Sequence, residues 1–331
     1  MKRESLDVVG IGNAIVDVLA HADDAFLEAE GLKKGAMTLL DEPNAERLYA
    51  RMGPAVEVSG GSAGNTAAGL ASLGGRAAYV GKVRDDLLGE IFRHDMRAQG
   101  VRFDTPPATS GPATARSMIL VTPDGQRTMS TYLGASVELG PDDIDPELIA
   151  GTKITYLEGY LFDPPLAQQA FREAALLAHQ AGRKVALSLS DPFCVARHRG
   201  AFHELVGAGV DILFANEIEI CSLYETRGFA EAAAAVKDEV EIAVLTRSAK
   251  GSLVLGRGEE HPVRAVPVER VVDTTGAGDL YASGFLYGLT RNLPLPLCGR
   301  IGSLCAAEVI SHLGARPETA LKDLVKSAEL I

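Results

Sequence analysis

From residue 151 onward the chain keeps one rhythm, in which short apolar or β-branched runs alternate with longer segments of helical spacing. Strands are expected at 154–157, 185–189, 212–215, 242–246 and 252–255. Helices are expected at 166–181, 198–206, 217–224 and 230–236, with two long ones at 280–289 and 297–313. Strands joined through helices run parallel, because a crossover of that length returns the chain in its starting direction. Such an order predicts an α/β fold with a mostly parallel central sheet and helices on both faces. Earlier segments join the pattern, with strands at 6–11 and 77–83 and helices at 63–73 and 87–98. Two stretches break it: 17–53 and 107–136 carry paired short strands and turn signals such as Pro123-Asp124-Gly125. They read as an inserted β-lid, leaving 1–16, 54–106 and 137–331 as the large core.

A chain of 331 residues that is 47% hydrophobic can bury one large core or a core with an appendage. Its net charge of −12 argues against general nucleic-acid binding and requires any anionic substrate to be held by a local site. Cys194, Cys221, Cys298 and Cys305 show neither Cys-x-x-Cys nor metal spacing, as expected of buried thiols in a reduced compartment. Charges at Lys2, Arg3, Glu4 and Asp7 do not fit a signal peptide, and no apolar run reaches the roughly 18 residues of a bilayer span. A soluble, cytoplasmic protein without a membrane partner is expected.

Chemistry concentrates in Asp273-Thr274-Thr275-Gly276-Ala277-Gly278-Asp279, between a strand expected at 268–272 and the helix that follows. Glycines there let the backbone turn N–H groups outward, toward the positive end of the helix dipole. Such a loop can hold the negative charge of a transferring phosphoryl group, and Asp279 stands where it can take a hydroxyl proton. Gly-x-Gly-Asp alone reads equally well as a helix cap after a glycine turn. An Asp at a helix N-terminus is expected to have a low pKa, which suits a reaction whose proton leaves late.

Other nucleotide-binding patterns fail. Gly10-Ile11-Gly12 lacks the third glycine of the dinucleotide fingerprint, and Ile15 to Leu19 reads as strand. Gly75 to Lys82 has one residue too many for a P-loop, with Val83 where Ser or Thr must hold Mg²⁺. A second informative string is Ser59-Gly60-Gly61-Ser62-Ala63-Gly64-Asn65. Its glycines permit close approach of a ligand, and Asn65 both donates and accepts; tight helix packing explains the glycines as well.

Taken together and in order, these two strings resemble the paired signatures of the ribokinase-like (PfkB) kinases, and the likeness runs over essentially the whole chain. Val80-Gly81 with Asp85-Asp86-Leu87-Leu88-Gly89 is similar to a further family segment, with Arg84 in place of a common Gly. Asn216-Glu217-Ile218-Glu219 is similar to the family's Asn-x-x-Glu motif. The resemblance implies a ribokinase-like three-layer fold, a small β-lid over the substrate, and ATP-dependent phosphorylation of a hydroxymethyl group. Asn13 to Asp17, Leu189 to Phe193 and Asp211 to Glu217 are most similar to the adenosine-phosphorylating branch. That branch implies transfer to the 5′-hydroxyl of adenosine, giving AMP. A ribokinase- or fructokinase-like sugar kinase stands as an alternative, and a non-catalytic nucleotide- or sugar-binding sensor as another.

The resemblance also implies roles. Asp279 is the base, with Gly276, Ala277 and Gly278 around the phosphoryl charge. Asn13, Asp17, Gly60, Gly61 and Asn65 hold the acceptor, with Asp17 on two ribose hydroxyls, and Arg127 reaches the phosphates. Asn216, Thr246, Gly251 and Ser303 line the nucleotide side. Glu219 organises Mg²⁺ through water, while Asp273 and Thr275 place oxygens around a monovalent cation such as K⁺. Leu161 stands where the branch carries an aromatic that stacks on the base, and Ser303 where it often has a His. Relatives occur as monomers and as lid-mediated homodimers.

Overall fold

The computed structural model describes residues 5–331, so the charges at Lys2, Arg3 and Glu4 lie outside the described residues. Its strands are β1 (Leu6–Ile11), β2 (Ile15–His21), β3 (Met37–Leu39), β4 (Ala55–Ser59), β5 (Ala77–Val80), β6 (Arg102–Phe103) and β7 (Ala115–Val121). They continue with β8 (Arg127–Tyr132), β9 (Thr152–Glu158), β10 (Lys184–Ser188), β11 (Ile212–Asn216), β12 (Ile242–Thr246), β13 (Ser252–Gly256) and β14 (Glu259–Val263). The helices are α1 (Asp24–Ala29), α2 (Glu42–Arg51), α3 (Ser62–Ser72), α4 (Leu87–Ala98), α5 (Pro146–Ala150) and α6 (Pro165–Gln180). After them come α7 (Pro192–Gly209), α8 (Glu217–Tyr224), α9 (Phe229–Val236), α10 (Ala277–Leu289), α11 (Leu295–Val309) and α12 (Leu321–Ser327).

Nine strands form the central sheet in the order β14-β13-β12-β11-β10-β9-β1-β5-β6. From β12 through β6 every pairing is parallel, and only β13 and β14 return as antiparallel edge strands. Both faces are buried, which explains why strands such as β5 and β12 read as nearly unbroken apolar runs. One core joins Tyr79, Phe92, Phe214 and Phe285 under α3, α4, α10 and α11. The other joins Ile11, Leu157, Phe171 and Phe202 under α6 and α7. From β1 the chain first builds β5 and β6 on one side, and only later β9 to β12 on the other. That reversal opens a crevice beyond the carboxyl ends of the strands, where open α/β sheets bind ligands. Asn13, Glu158, Asn216 and Thr246 lie at or just past those ends.

The second sheet has five strands in the order β3-β8-β7-β2-β4. It takes in β4, which lies outside the 17–53 and 107–136 segments read as the lid. That segment also holds two helices where paired short strands were expected. Asp23 caps α1 by accepting from Phe26 N, and Asp41 caps α2 by accepting from Asn44 N. These aspartates were the missed signals. α2 then covers one face of the sheet, packing Ala45 and Leu48 on Met118 and Tyr132.

Three further expectations differ. Residues 268–272 are not a strand: Val271 is exposed, and Val272 N donates to the Ile310 carbonyl because no strand lies beside it. α11 stops at Val309 rather than near 313, and α7 is kinked at His198 (φ −120°, ψ 24°): the helix expected at 198–206 is its second stretch, and the first, capped by Asp191 with Pro192 in its first turn, was not foreseen. β14 was not foreseen, since Glu259-Glu260-His261-Pro262 lacks a strand's composition; it pairs as an edge, where Pro is tolerated.

Candidate active site

The loop before α10 and the start of α3 meet at Asp279. Gly276 caps α10 with φ 78°, and a Cβ there would press on Ala315, so the turn requires glycine. Asp279 follows in the first turn. Ser62 Oγ donates to its Oδ1 at 2.6 Å and Asn65 Nδ2 to its Oδ2 at 2.9 Å. Asn65 Oδ1 is buried and has no hydrogen-bond partner among the described residues, which leaves an acceptor for an incoming hydroxyl. Gly278 is exposed, with open space where a side chain would stand. The first N–H groups of a helix lack intrahelical partners, so this end presents donors to the cleft.

The low pKa expected of Asp279 is corrected. Burial raises it, and the Ser62 and Asn65 hydrogen bonds and the charge of Arg316 only partly offset that. Desolvation outweighs the helix end, which makes the carboxylate a better base than an exposed cap.

Asp17 lies across the cleft on β2. Burial pushes it up to about 6, Arg316 and then Arg127 pull it down, and Asp279 pushes it further up. Gly60 lies against it, since a Cβ on Gly60 would meet the Asp17 carboxylate, and a Cβ on Gly61 would meet the Asn13 carbonyl. Asn13 itself is buried. Its Nδ2 donates to Glu158 Oε1 at 2.8 Å, and its Oδ1 accepts from Ser136 Oγ at 2.9 Å. Both ends of its amide are thus already engaged with protein.

Glu158 was missed in the sequence. It ends β9 fully buried, accepts from Asn13 N and Nδ2 and from Ala63 N, and so ties the end of β1 to the start of α3. Burial raises it to about 7 against those hydrogen bonds. A carboxylate closing the apolar run Ile154–Leu157 was the available signal.

Arg127, the first residue of β8, reaches the loop before α10. Its Nη1 lies 2.5 Å from Asp273 Oδ2 and donates to Thr275 Oγ1 at 2.9 Å. Arg127 Nε and Nη2 are buried without a partner among the described residues, a donor pair suited to a phosphate. Asp273 is otherwise occupied: Oδ1 accepts from Thr275 N and Oγ1, and Oδ2 from Gly314 N. Asp273 and Thr275, the pair expected around a monovalent cation, thus hold each other and Arg127.

On the nucleotide side, Asn216 and Glu219 lock each other in a capping box at the start of α8. Glu219 is buried and pushed up to about 7 by desolvation, with Asp191 and Asp279 adding to it. A divalent cation carrying phosphates would relieve those mutually opposed carboxylates. Among the described residues no cluster of three or more His, Cys, Asp or Glu is arranged to hold a metal, so water and substrate oxygens must complete any shell. Thr246 ends β12, and Gly251 turns the chain into β13 with φ 84°. The Ser303 hydroxyl is held by main chain, accepting from Val266 N and donating to the Arg264 carbonyl. Leu161 is buried in the core, while its neighbour Tyr160 is exposed. No described helix is long and apolar enough to cross a membrane.

Known proteins resemble this chain over nearly its whole length. Residues 40–321 match the family described as pfkB family carbohydrate kinase. The crystal structure of adenosine kinase from Sinorhizobium meliloti is 55% identical, with a TM-score of 0.90 over 98% of this chain and 100% of that one. A probable sugar kinase from Rhizobium etli CFN 42 is 52% identical, with a TM-score of 0.92 over 99% of this chain and 100% of that one. The adenosine kinase of Saccharomyces cerevisiae is 27% identical over 329 residues, covering 93% of this chain and 95% of its own. The fold is thus ribokinase-like.

Proposed function

We propose, from the premise that this chain belongs to the pfkB family of carbohydrate kinases, that it transfers the γ-phosphoryl group of ATP to the 5′-hydroxyl of adenosine. The coarser statement stands without that proposal: the chain is a phosphotransferase with an alcohol group as acceptor. The nucleoside reading rests on the face of the smaller sheet that carries Asp17. Strand register places Leu19, Val56, Ile119, Met129, Met37 and Leu39 on that same face. α2 covers the opposite face, and Met37, Leu39 and Val56 are exposed. A free sugar has no use for an apolar wall beside its hydroxyls, whereas a planar base does.

In this reading Asp17 accepts hydrogen bonds from two ribose hydroxyls, and the free Asn65 Oδ1 accepts a third. Asp279, held by Ser62 and Asn65, takes the proton of the attacking hydroxyl. Ala277 N is held by the Thr274 carbonyl, so the donors of Gly276 and Gly278 and the free Arg127 donors face the phosphoryl oxygens, where one such donor lowers the barrier by roughly 3 kcal/mol. Mg²⁺, organised by Asn216 and Glu219 through water, would neutralise phosphate charge. The smaller sheet would act as the lid that excludes water.

The sugar-kinase reading is favoured by the Rhizobium etli relative. The test supplies purified protein with Mg·ATP and adenosine, inosine, guanosine, ribose, fructose or 2-keto-3-deoxygluconate, and follows ADP release for wild type and Asp279→Ala. Turnover with adenosine, lost in the variant, is expected. Turnover with a free sugar alone would overturn the nucleoside assignment and keep the kinase.

A further inference from the structure

Arg316 belongs to no motif described above, yet its guanidinium enters the heart of the site from the turn after α11. Its Nε and Nη2 donate to the Ser59 carbonyl at 3.1 and 2.7 Å, and Nη2 also to Ser59 Oγ at 3.0 Å. Its Nη1 donates to the Gly64 carbonyl at 2.7 Å. One planar fork thus grips both ends of the segment Gly60–Ala63, which lies against Asp17 and leads into Asn65. Ser59 is fixed from its other side, where its N and Oγ donate to Asp95 Oδ2 of α4 at 2.8 and 2.6 Å. The ionisable groups that act on the guanidinium come from four elements: Asp95 from α4, Asp17 from β2, Asp279 from α10 and Tyr79 from β5. Asp17 feels Arg316 and Arg127 as cations and Asp279 as an anion.

We infer that Arg316 is a positioning residue of this active site, clamping the glycine turn beneath the acceptor and supplying the positive charge that faces Asp17 and Asp279. Arg127 cannot replace it, because Arg127 is engaged with Asp273. A lysine would keep the charge and lose the fork, whereas a glutamine would lose the charge and keep donors. The inference rests on the reading of Asp17 as the acceptor's ligand and Asp279 as the base.

The test measures kcat/KM for the acceptor against pH in wild type, Arg316→Gln and Arg316→Lys, using whichever acceptor the wild-type protein turns over. Both carboxylates must be ionised to work, so losing the facing charge moves the acidic limb to higher pH. A shift of about one unit or more is expected for Arg316→Gln. Arg316→Lys should keep the limb near its wild-type position while the acceptor KM rises and the ATP KM does not. An acidic limb that stays in place in Arg316→Gln overturns the inference. Should the glutamine variant fail to fold, the lysine variant decides, and an equal rise in both KM values overturns it. Failure of the nucleoside assignment reads differently: wild type is silent with adenosine, and the Arg316 comparison is made on a sugar.

Discussion

Arg127 Nη1 and Asp273 Oδ2 are 2.5 Å apart, an ion pair that joins the first residue of β8 to the loop ahead of α10. The smaller sheet is therefore held onto that loop by the same side chain whose Nε and Nη2 remain free. Replacing Arg127 with Gln removes the tether and the free donors proposed to meet phosphate. We expect kcat to fall roughly 10²–10³-fold, as when a preorganised donor to the developing charge is lost. Steady-state kinetics at saturating ATP and acceptor check this; an unchanged kcat would show that the pair only holds the sheet.

Ser62→Ala tests the base. Ser62 Oγ donates to Asp279 Oδ1 and stabilises its charged form. Removing that donor raises a pKa that burial has already raised. The acidic limb of kcat against pH should move upward by about one unit, with activity recovering on the alkaline side. Movement in the opposite direction would remove Asp279 from the base role.

Glu158 makes a prediction about stability. Its folded value near 7 lies above its ordinary 4.5, so the folded protein binds the extra proton between those values. The contribution is fully present below about pH 4.5 and is lost as pH rises through about 7, a change on the order of 3 kcal/mol. Glu219 and Asp17 slope the same way. Urea unfolding of the ligand-free protein should therefore show stability falling from pH 5 to pH 8, and Glu158→Gln should flatten that slope. An equally steep slope in the variant would contradict the titration of Glu158.

Glu219→Gln should raise the Mg²⁺ concentration needed for half-maximal rate by roughly 10-fold or more, the usual cost of removing a carboxylate that orders a metal's water shell. Metal titration at fixed ATP measures it. Wild-type Mg²⁺ dependence in the variant would return Glu219 to a purely helix-capping role with Asn216.

The parallel sheet was legible because its strands are buried on both faces and its helices are spaced by 3.6-residue periodicity. α8, for instance, was read at its observed bounds. The smaller sheet was harder. β3 has only three exposed residues, and α1 and α2 announce themselves chiefly through Asp23 and Asp41. The site was legible where glycine patterns forced it, as at Gly276 and Gly60. Glu158 and Arg316 were not, because each acts on segments more than 90 residues away and neither carries a local pattern. Which of Tyr160 and Leu161 is buried was not legible either: a short 3₁₀ turn over Gly159–Phe162 sends Leu161 into the core, and sequence spacing does not report that choice.

Gly60 offers a test that separates the proposed acceptor binding from the rest of the site. A methyl group on it would run into the Asp17 carboxylate, while Gly276, Thr246 and Gly251 belong to other segments. In Gly60→Ala the carboxylate must shift, and a displacement of about 1 Å of a positioning group can lower activity 10²-fold. We expect kcat/KM for the acceptor to fall by that order while ATP affinity, measured by calorimetry without acceptor, stays at the wild-type value. An equal loss in both would mean that the turn supports the whole cleft rather than the acceptor alone. An unaffected acceptor KM would place the substrate hydroxyls away from Asp17.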